Sequence, residues 1–181
     1  DEAYREFVYA GEPLQSMGQF EDAAENVIVI DTVSKRFSAC GARIGCMISR
    51  NKELMAQAMK YAQCRLSVPT LDQVAAAALY TVGPDYFAAV REEYKRRRDT
   101  VVNKLHEIPG VVCECPRGAF YIMAALPEDN GDTVMFAPGE PFYGTPGKGK
   151  NEIRIAYVLK QADLERAMDL LAKGIAAYNA R

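Results

Sequence analysis

The sequence contains one histidine among its 181 residues, and this scarcity limits the chemistry that it can support. That residue, His106, stands near the end of a predicted helix, shortly before Pro109 and Gly110. A basic side chain in the last turn of a helix often binds the terminal carbonyl groups. We therefore expect His106 to cap a helix, and we do not expect catalysis that needs a histidine as acid or base.

Cysteine is also sparse and forms no recognisable site. The five cysteines are odd in number, and no two are spaced as C-x-x-C. This pattern is unfavourable for a disulfide framework and for a zinc site, so we expect no bound metal. We instead expect small buried thiols in the reducing environment of the cytoplasm. The five are Cys40, Cys46, Cys64, Cys113 and Cys115.

The sequence has neither an excess of one charge nor a long apolar run. Its 24 acidic and 22 basic residues nearly cancel, which leaves no overall field that favours nucleic acid or an anionic membrane. No apolar stretch approaches the roughly 18–20 residues that cross a bilayer. A short basic cluster, Arg96–Arg98, has acidic neighbours on a predicted helix, and we expect it to be a solvated face. We therefore expect no nucleic-acid partner and no membrane partner.

Local signals predict three helices in the middle of the chain. Asn51 is a suitable N-cap for the first of them. Thr70 and Gln73 have the spacing of a capping box, which predicts a second helix over Leu71–Val82. A long apolar stripe then predicts a third helix over about Tyr86–Glu107.

Six segments have the composition of β-strands. They are Val27–Ile30, Ala42–Ser49, Val111–Glu114, Ala119–Ala124, Val134–Ala137 and Glu152–Val158. The first two are continuous apolar runs, typical of strands that are buried on both faces. A last amphipathic helix carries apolar residues from Leu164 to Tyr178. The order predicts part of a large α/β domain (1–83), a long connecting helix (84–110) and a small α+β domain (111–181).

A lysine, Lys35, lies between the first two predicted strands, in the stretch Asp31–Gly45. Burial favours the neutral amine of a lysine, which is a nucleophile able to form a Schiff base with a carbonyl. Gly41 and Gly45 allow close approach of the backbone to a ligand, and Arg43 offers donors suited to phosphate. Pyridoxal phosphate, an aldehyde that carries a phosphate, fits these features. The residues alone also fit a surface lysine and an arginine paired with a carboxylate.

Four segments resemble motifs of one enzyme family, in the family's order. They are D-E-A-Y-R-E-F at 1–7, S-K-R-F-S-A-C-G-A-R-I-G at 34–45, P-R-G-A-F-Y at 116–121 and N-E-I-R-I-A-Y-V at 151–158. The second resembles the cofactor-lysine segment of the class I/II aminotransferases, the aspartate aminotransferase-like enzymes that depend on pyridoxal phosphate. The resemblance covers essentially the whole chain and corresponds to the C-terminal portion of such an enzyme. It implies part of the large cofactor-binding α/β domain, followed by the small α+β domain.

The resemblance implies roles for the residues around the cofactor. Lys35 would hold pyridoxal phosphate covalently and would then move a proton between the substrate Cα and the cofactor. Asp1 would face the pyridine nitrogen and keep the ring protonated, and Tyr4 would donate to the phenolic oxygen of the cofactor. The residues that bind the phosphate would be Thr32, Ser34 and Arg43.

Arg154 is the residue that the resemblance assigns to the substrate. Its guanidinium would bind the α-carboxylate in a bidentate pair. Ile153, Ile155 and Tyr157 alternate to one face of the predicted strand, which places Arg154 on the other face. A surface charge on an edge strand is the alternative that the pattern alone allows.

The sequence also departs from the family's pattern. The N-terminal half of the family, which supplies further contacts to the cofactor, has no counterpart here. We therefore expect the chain to be a fragment and to be inactive by itself. Relatives usually carry a helix in the region of residues 126–135, where this chain is short. Either that helix is deleted or its residues are left out of this sequence.

The activity implied by the resemblance is transfer of an amino group from an L-amino acid to a 2-oxo acid such as 2-oxoglutarate. Aspartate or a broad range of amino acids is the expected donor, and a cytoplasmic homodimer is the expected assembly. Two alternatives stay open: a C–S lyase or another β-eliminating enzyme, and a non-catalytic ligand-sensing domain of a transcription regulator. A nucleotide phosphate loop at 144–151 is disfavoured, because asparagine follows G-K-G-K where serine or threonine would bind magnesium.

Overall fold

The computed structural model describes residues 1–12, 14–127 and 137–180. The chain forms two compact units, Asp1–Ala88 and Ala89–Arg181. The boundary between them falls within one long helix, α4, which spans Pro84–His106. Most of the predicted strand Val134–Ala137 lies outside the described residues, as does most of the short region 126–135.

The first unit contains a two-stranded antiparallel sheet with a tight connection. Its elements are β1 (Val29–Thr32), α1 (Val33–Arg36), a 3₁₀ helix (Cys40–Ala42) and β2 (Gly45–Ile48). Val29 pairs with Ile48 and Thr32 pairs with Gly45. The single turn of α1 therefore follows β1 directly, and Lys35 lies on that turn.

Two further helices complete the first unit. They are α2 (Lys52–Arg65) and α3 (Thr70–Leu79). The predicted N-cap of α2 is confirmed, because Oδ1 of Asn51 accepts from the N–H of Leu54 at 2.9 Å. The predicted capping box of α3 is wrong. Pro69 occupies the N-cap, so the helix begins at the residue predicted to cap it, and the Gln73 amide donates to the carbonyl of Val68 at 2.6 Å.

The first unit has a small core and an exposed apolar face. Val33, Phe37 and Ala76 form the buried centre. The prediction that the first two strands are buried on both faces is wrong, because Ile30 and Ile48 are 41% and 55% exposed. Residues of β1 instead alternate between buried and exposed positions. The register places Ile30 and Ile48 on opposite faces, so neither face of this small sheet is fully covered by the described chain.

The second unit contains a four-stranded antiparallel sheet in the order β3-β4-β6-β5. Its elements are β3 (Val112–Cys113), β4 (Tyr121–Ala125), β5 (Ala137–Pro138), β6 (Glu152–Ala156) and a last helix, α5 (Gln161–Asn179). Buried apolar side chains come from α4, the sheet and α5. They include Val101, Leu105, Ile122, Ile153, Ile155, Leu164, Met168 and Leu171. The apolar periodicity that predicts the last helix is thus confirmed.

The basic cluster Arg96–Arg98 is not a uniformly solvated face, so that prediction is wrong. Arg98 is buried, and its Nη1 donates to the carbonyl of Pro116 at 3.1 Å. The guanidinium of Arg97 lies 4.9 Å from the centroid of the Tyr94 ring. Nη1 of Arg97 also donates to the carbonyl of Val158 at 2.9 Å, so two of the three arginines tie α4 to other segments through their guanidinium groups.

The predictions for cysteine and histidine also need correction. The thiols are not buried: four of the five cysteines are exposed and Cys113 is intermediate. In the first unit, the apolar run around Cys46 suggests burial, but β2 is largely exposed in the described chain. His106 does end α4, but its Nε2 lies 3.2 Å from the carbonyl of Cys113 on β3. The described contact therefore ties the helix end to the sheet.

The loop before β6 does not have the architecture of a nucleotide phosphate loop. Residues 144–151 lead into a strand, as expected from the sequence, and not into a helix. Gly149 has a φ of +74°, and a Cβ there would lie 2.6 Å from Cδ2 of Tyr143. The glycine is therefore required by the packing and the backbone of this loop.

Within the described ranges, no helix has the length and apolar character needed to cross a membrane. No group of three or more histidine, cysteine, aspartate or glutamate side chains in the same ranges could hold a metal ion.

Candidate active site

The end of β1 and the turn of α1 place Lys35 beside two hydroxyl groups. Oγ1 of Thr32 accepts from the N–H of Ser34 at 3.1 Å and so caps α1. Such a cap satisfies a backbone donor that the first helical turn leaves unpaired. Lys35 is half-buried, so its amine is less shielded than the sequence pattern predicts.

The two hydroxyl groups are held in fixed positions. Oγ1 of Thr32 lies 3.0 Å from Oγ of Ser34, and it donates to the carbonyl of Ile44 at 2.7 Å. The same carbonyl accepts from the N–H of Val33 at 3.3 Å. The start of α1 is therefore tied to the segment that leads into β2, with Thr32 as the link.

Arg43 lies in the same connection, in a left-handed conformation with a φ of 55°. It is exposed, and its Nη1 donates to the carbonyl of Cys40 at 2.9 Å. A guanidinium has five N–H donors, so this bond occupies one of them. Arg43 and Thr32 line an open cavity of about 830 Å³ in the first unit. The other residues predicted for the cofactor do not line it: Asp1, Tyr4, Ser34 and Lys35.

The segment that carries Asp1 and Tyr4 lies beside β1. The N–H of Glu2 donates to the carbonyl of Ile30 at 2.8 Å. Asp1 is exposed, whereas Tyr4 is half-buried and meets the Phe7 ring edge-on at 6.4 Å between centroids. The structure thus brings the segment of the predicted pyridine partner next to the strand that leads into α1.

Arg36 belongs to an ionic cluster that local sequence patterns do not reveal. Its Nε and Nη2 donate to Oε1 of Glu6 at 3.0 and 2.7 Å, and its Nη1 lies 3.5 Å from Oδ2 of Asp31. Asp31 is only 5% exposed. The sequence gives one signal of this ionic cluster, an aspartate at the end of an apolar strand. A buried carboxylate at that position needs a charged or hydrogen-bonding partner.

Asp31 also affects the thiol opposite it. Cys46 pairs with Asp31 across the β1–β2 ladder. Partial burial of the thiol and, after it, the charge of the Asp31 carboxylate raise the pKa of Cys46. The thiolate is the reactive form of cysteine, so this environment makes Cys46 a poor nucleophile.

In the second unit, Arg154 lies on β6 between Met123 of β4 and Ala137 of β5. Its Cζ is 3.8 Å from the ring centroid of Phe142 and 4.5 Å from that of Tyr121. The strand alternation predicted around Arg154 is confirmed, because its neighbours on the other face are buried. They are Ile153, Ile155 and Tyr157.

The chemistry of the first unit fits pyridoxal phosphate. Two hydroxyl groups 3.0 Å apart and a guanidinium are donors of the kind that bind phosphate oxygens. A primary amine lies in the same turn, at Lys35, where it can react with an aldehyde. The residues predicted to hold the phosphate are Thr32, Ser34 and Arg43, of which Thr32 and Arg43 line the cavity.

Comparison with known proteins decides the family. Residues 1–171 match the family described as aminotransferase class I and II. The chain belongs to the class I and II aminotransferases. Pyridoxal phosphate is the cofactor of this family. The family expected from the four sequence motifs is therefore confirmed.

Curated relatives of this aminotransferase chain differ in substrate. It is 30% identical over 195 residues to an aspartate aminotransferase of Streptomyces avermitilis, covering 96% of this chain and 47% of the relative. It is 29% identical over 187 residues to an LL-diaminopimelate aminotransferase of Nitratidesulfovibrio vulgaris, covering 96% and 47%. The chain thus spans about half the length of the curated relatives that it matches. Both alignments are longer than the 181 residues of this chain, so the relatives carry residues that it lacks.

Solved structures confirm the predicted α/β fold class of this aminotransferase chain. The crystal structure of an aspartate aminotransferase from Rhizobium meliloti has a TM-score of 0.82 at 25% identity, covering 97% of this chain and 48% of that one. The α-aminoadipate aminotransferase LysN from Thermus thermophilus, complexed with N-(5'-phosphopyridoxyl)-L-leucine, has a TM-score of 0.80 at 26% identity. That likeness covers 97% of this chain and 50% of LysN.

Proposed function

We propose that this chain, together with the remainder of the aminotransferase fold, transfers an amino group from an L-amino acid to a 2-oxo acid. One observation carries the proposal: Lys35 follows the linked hydroxyl groups of Thr32 and Ser34 in a chain that matches the family over residues 1–171. When bound there, pyridoxal phosphate supplies an electron sink for the charge that forms at the substrate Cα.

Lys35 is the residue that we assign to covalent binding and proton transfer. Its amine is the nucleophile that attaches to the cofactor, and after release it is the base that takes the proton from the substrate Cα. Asp1 would place its carboxylate at the pyridine nitrogen, and the Tyr4 hydroxyl would donate to the phenolic oxygen. The backbone bond between Glu2 and Ile30 supports this assignment, because it holds that segment next to β1.

The phosphate would be bound by Thr32, Ser34 and Arg43. The Thr32 hydroxyl is held in place by its bonds to Ser34 and Ile44, and it would exchange its bond to the Ile44 carbonyl for one to the phosphate. Donors placed in advance lose less conformational entropy when the ligand arrives.

Arg154 would bind the α-carboxylate of the substrate. Cζ of its guanidinium already lies over the rings of both Phe142 and Tyr121. A fixed guanidinium plane favours bidentate recognition of a carboxylate.

Aspartate or a broad range of amino acids is our proposal for the donor, with 2-oxoglutarate as an acceptor. The relatives support a range of donors, because they are named aspartate, LL-diaminopimelate and aromatic-amino-acid aminotransferases. The identities of 29–30% to these different enzymes do not single out one of them.

We propose that the full protein is a cytoplasmic homodimer. Within this chain, we propose that residues 1–83 belong to the large domain, residues 84–110 connect the domains and residues 111–181 form the small domain. We also propose that the remainder of the fold covers the exposed side chains of the β1–β2 sheet. Two observations support this covering: Ile30 and Ile48 are exposed, on opposite faces of the sheet, and the chain matches about half of its relatives. An isolated two-stranded sheet is at best marginally stable in water.

The deciding experiment is an assay of the full-length enzyme with a panel of amino donors and 2-oxoglutarate. Formation of glutamate supports transamination, whereas release of ammonia and a 2-oxo acid without glutamate supports the β-eliminating alternative. Lys35→Ala is the control variant and should abolish turnover. For the 181-residue chain alone, we expect no turnover in a pyridoxal phosphate titration; measurable turnover would contradict the expectation that the chain is incomplete.

A further inference from the structure

Arg36 follows Lys35 on α1, and its side chain contacts three separate segments of the first unit. The segments are residues 1–7, the end of β1, and the region where α3 ends and α4 begins. The Arg36 side chain is 17% exposed, and its acidic partners Glu6 and Asp31 are 18% and 7% exposed. This shielding distinguishes the cluster from an ordinary surface ion pair.

The first contact joins α1 to the segment that carries Asp1 and Tyr4. Nε and Nη2 of Arg36 both donate to Oε1 of Glu6, at 3.0 and 2.7 Å. Glu6 lies two residues after Tyr4 and 30 residues before Arg36. Hydrogen bonds between ionised partners are shorter and stronger than neutral ones.

The second contact joins α1 to the end of β1. Nη1 of Arg36 lies 3.5 Å from Oδ2 of Asp31, and Oδ1 of Asp31 accepts from the N–H of Thr32 at 2.7 Å. Burial lowers the pKa of Arg36, but the hydrogen bond and charge of Glu6 and the charge of Asp31 outweigh it, so the pKa is raised. Arg36 is thus a permanent cation between two carboxylates.

The third contact is aromatic. Cζ of Arg36 lies 5.6 Å from the ring centroid of Tyr80 and 5.7 Å from those of Phe37 and Phe87. The Phe37 ring also meets those of Tyr80 and Phe87, at 5.2 and 5.6 Å between centroids. Distances below about 6 Å are those at which a cation is attracted to a ring face. The guanidinium is therefore held on its apolar side as well.

We propose that Arg36 is a positioning residue, which fixes the turn that carries Lys35 against the segment that carries Asp1 and Tyr4. This inference rests on the proposed function, because it concerns the residues that bind pyridoxal phosphate there. Arg36 does not need to touch the cofactor. It acts by joining two backbone segments whose functional side chains must meet the same small molecule.

The test uses hydrogen exchange of the full-length enzyme and its variants. Arg36→Met keeps an unbranched apolar stem but removes the guanidinium, and with it the bridge between the two carboxylates. Exchange in residues 1–9 should become at least about tenfold faster, because breaking a shielded charge pair is costly. The amides of Arg5 and Phe7 report on this segment, since they bond to the carbonyls of Glu2 and Tyr4 at 3.0 and 2.9 Å.

Two variants control for loss of charge and for general instability. Arg50→Met removes another arginine–glutamate pair of the same unit, in which Arg50 and Glu21 are 58% and 72% exposed. It should change exchange in residues 1–9 by no more than about twofold, as expected for an exposed pair. Arg36→Lys keeps the charge but cannot bridge both carboxylates, so it should restore protection only in part. If Arg36→Met does not fold, Glu6→Gln tests the same bond.

A second measurement addresses the cofactor site separately. Pyridoxal phosphate condenses with lysine amines with loss of water, and hydride from borohydride then reduces the C=N bond, so that mass spectrometry locates the product. Lys35 should be modified in preference to the exposed Lys52 and Lys60, and Arg36→Met should remove this preference. Equal modification of all three in the unaltered full-length enzyme would count against the proposed function, whereas the exchange experiment would still decide the role of Arg36.

The inference would be overturned if exchange in residues 1–9 were unchanged in Arg36→Met. If Glu6→Gln replaces that variant, the same result in Glu6→Gln would overturn it. Full restoration of protection by Arg36→Lys would also overturn it, since charge alone would then account for the effect. Fast exchange in Arg36→Met, with partial restoration by lysine and no effect of Arg50→Met, would support it.

Discussion

The guanidinium of Arg154 stacks on the ring of Phe142, with 3.8 Å between Cζ and the ring centroid. Phe142 ends a 3₁₀ helix, Glu140–Phe142, in the loop before β6, so a loop residue orients a strand residue. Tyr121 of β4 lies on the same guanidinium at 4.5 Å. The arginine that we assign to the substrate is thus oriented before any carboxylate arrives.

Phe142→Ala should raise the KM of the full-length enzyme for its amino donor by about tenfold, with a smaller change in kcat. The reason is that loss of the Phe142 ring lets the guanidinium of Arg154 rotate. Steady-state kinetics of the variant would show this. Phe142→Tyr keeps a ring in place and serves as the control, with near-normal KM. A KM that is unchanged in Phe142→Ala would argue against the assignment of Arg154.

Gly149→Ala should destabilise the second unit by about 1–3 kcal/mol, because a side chain at positive φ is strained and its Cβ would overlap the Tyr143 ring. The distance from that Cβ to Cδ2 of Tyr143 is 2.6 Å. Urea unfolding would measure the loss. Gly144→Ala is the matched control in the same loop: a Cβ there meets nothing within 4 Å, and its effect should stay within about 0.5 kcal/mol.

The Tyr143 hydroxyl should titrate above the ordinary pKa of tyrosine, about 10. It donates to Oε2 of Glu152 at 2.5 Å, and this bond, then burial and the carboxylate charge, raise the pKa of Tyr143. The bond therefore contributes below pH 10 and is lost as the pH rises through the raised pKa. Ultraviolet titration compared with Tyr143→Phe would isolate this group, and Glu152→Gln should return its midpoint toward the ordinary value.

Cys113 should react with iodoacetamide at pH 8 more slowly than Cys115. Burial and, after it, the neighbouring Cys115 raise the pKa of Cys113, so less of the reactive thiolate is present. The difference should shrink as the pH rises and should disappear in concentrated urea. Peptide mass spectrometry would follow both sites, and equal rates in the folded chain would contradict the partial shielding of Cys113.

Helices could be predicted from the sequence because their signals are local. Asn51 and the N–H that it binds are three residues apart, and the apolar stripe of α5 repeats within one helix. The capping box of α3 failed because Pro69 moved the helix start by one residue. A spacing rule applied without the exact start of the helix selects the wrong cap.

The ionic cluster of Arg36 could not be predicted, because Glu6 is 30 residues distant and no local period connects the two. The burial of Arg98 depends likewise on a carbonyl 18 residues away, at Pro116. Exposure of Ile30 and Ile48 was missed for another reason. A continuous apolar strand indicates a partner on both faces, whether or not the chain at hand contains that partner.

The exposed isoleucines of β1 and β2 have a consequence inside a cell. Apolar side chains on uncovered strands promote pairing between copies, and such surfaces attract chaperones and proteases. The 181-residue chain synthesised by itself would therefore be degraded or sequestered. Its steady-state abundance should be lower than that of the full-length enzyme translated at the same rate.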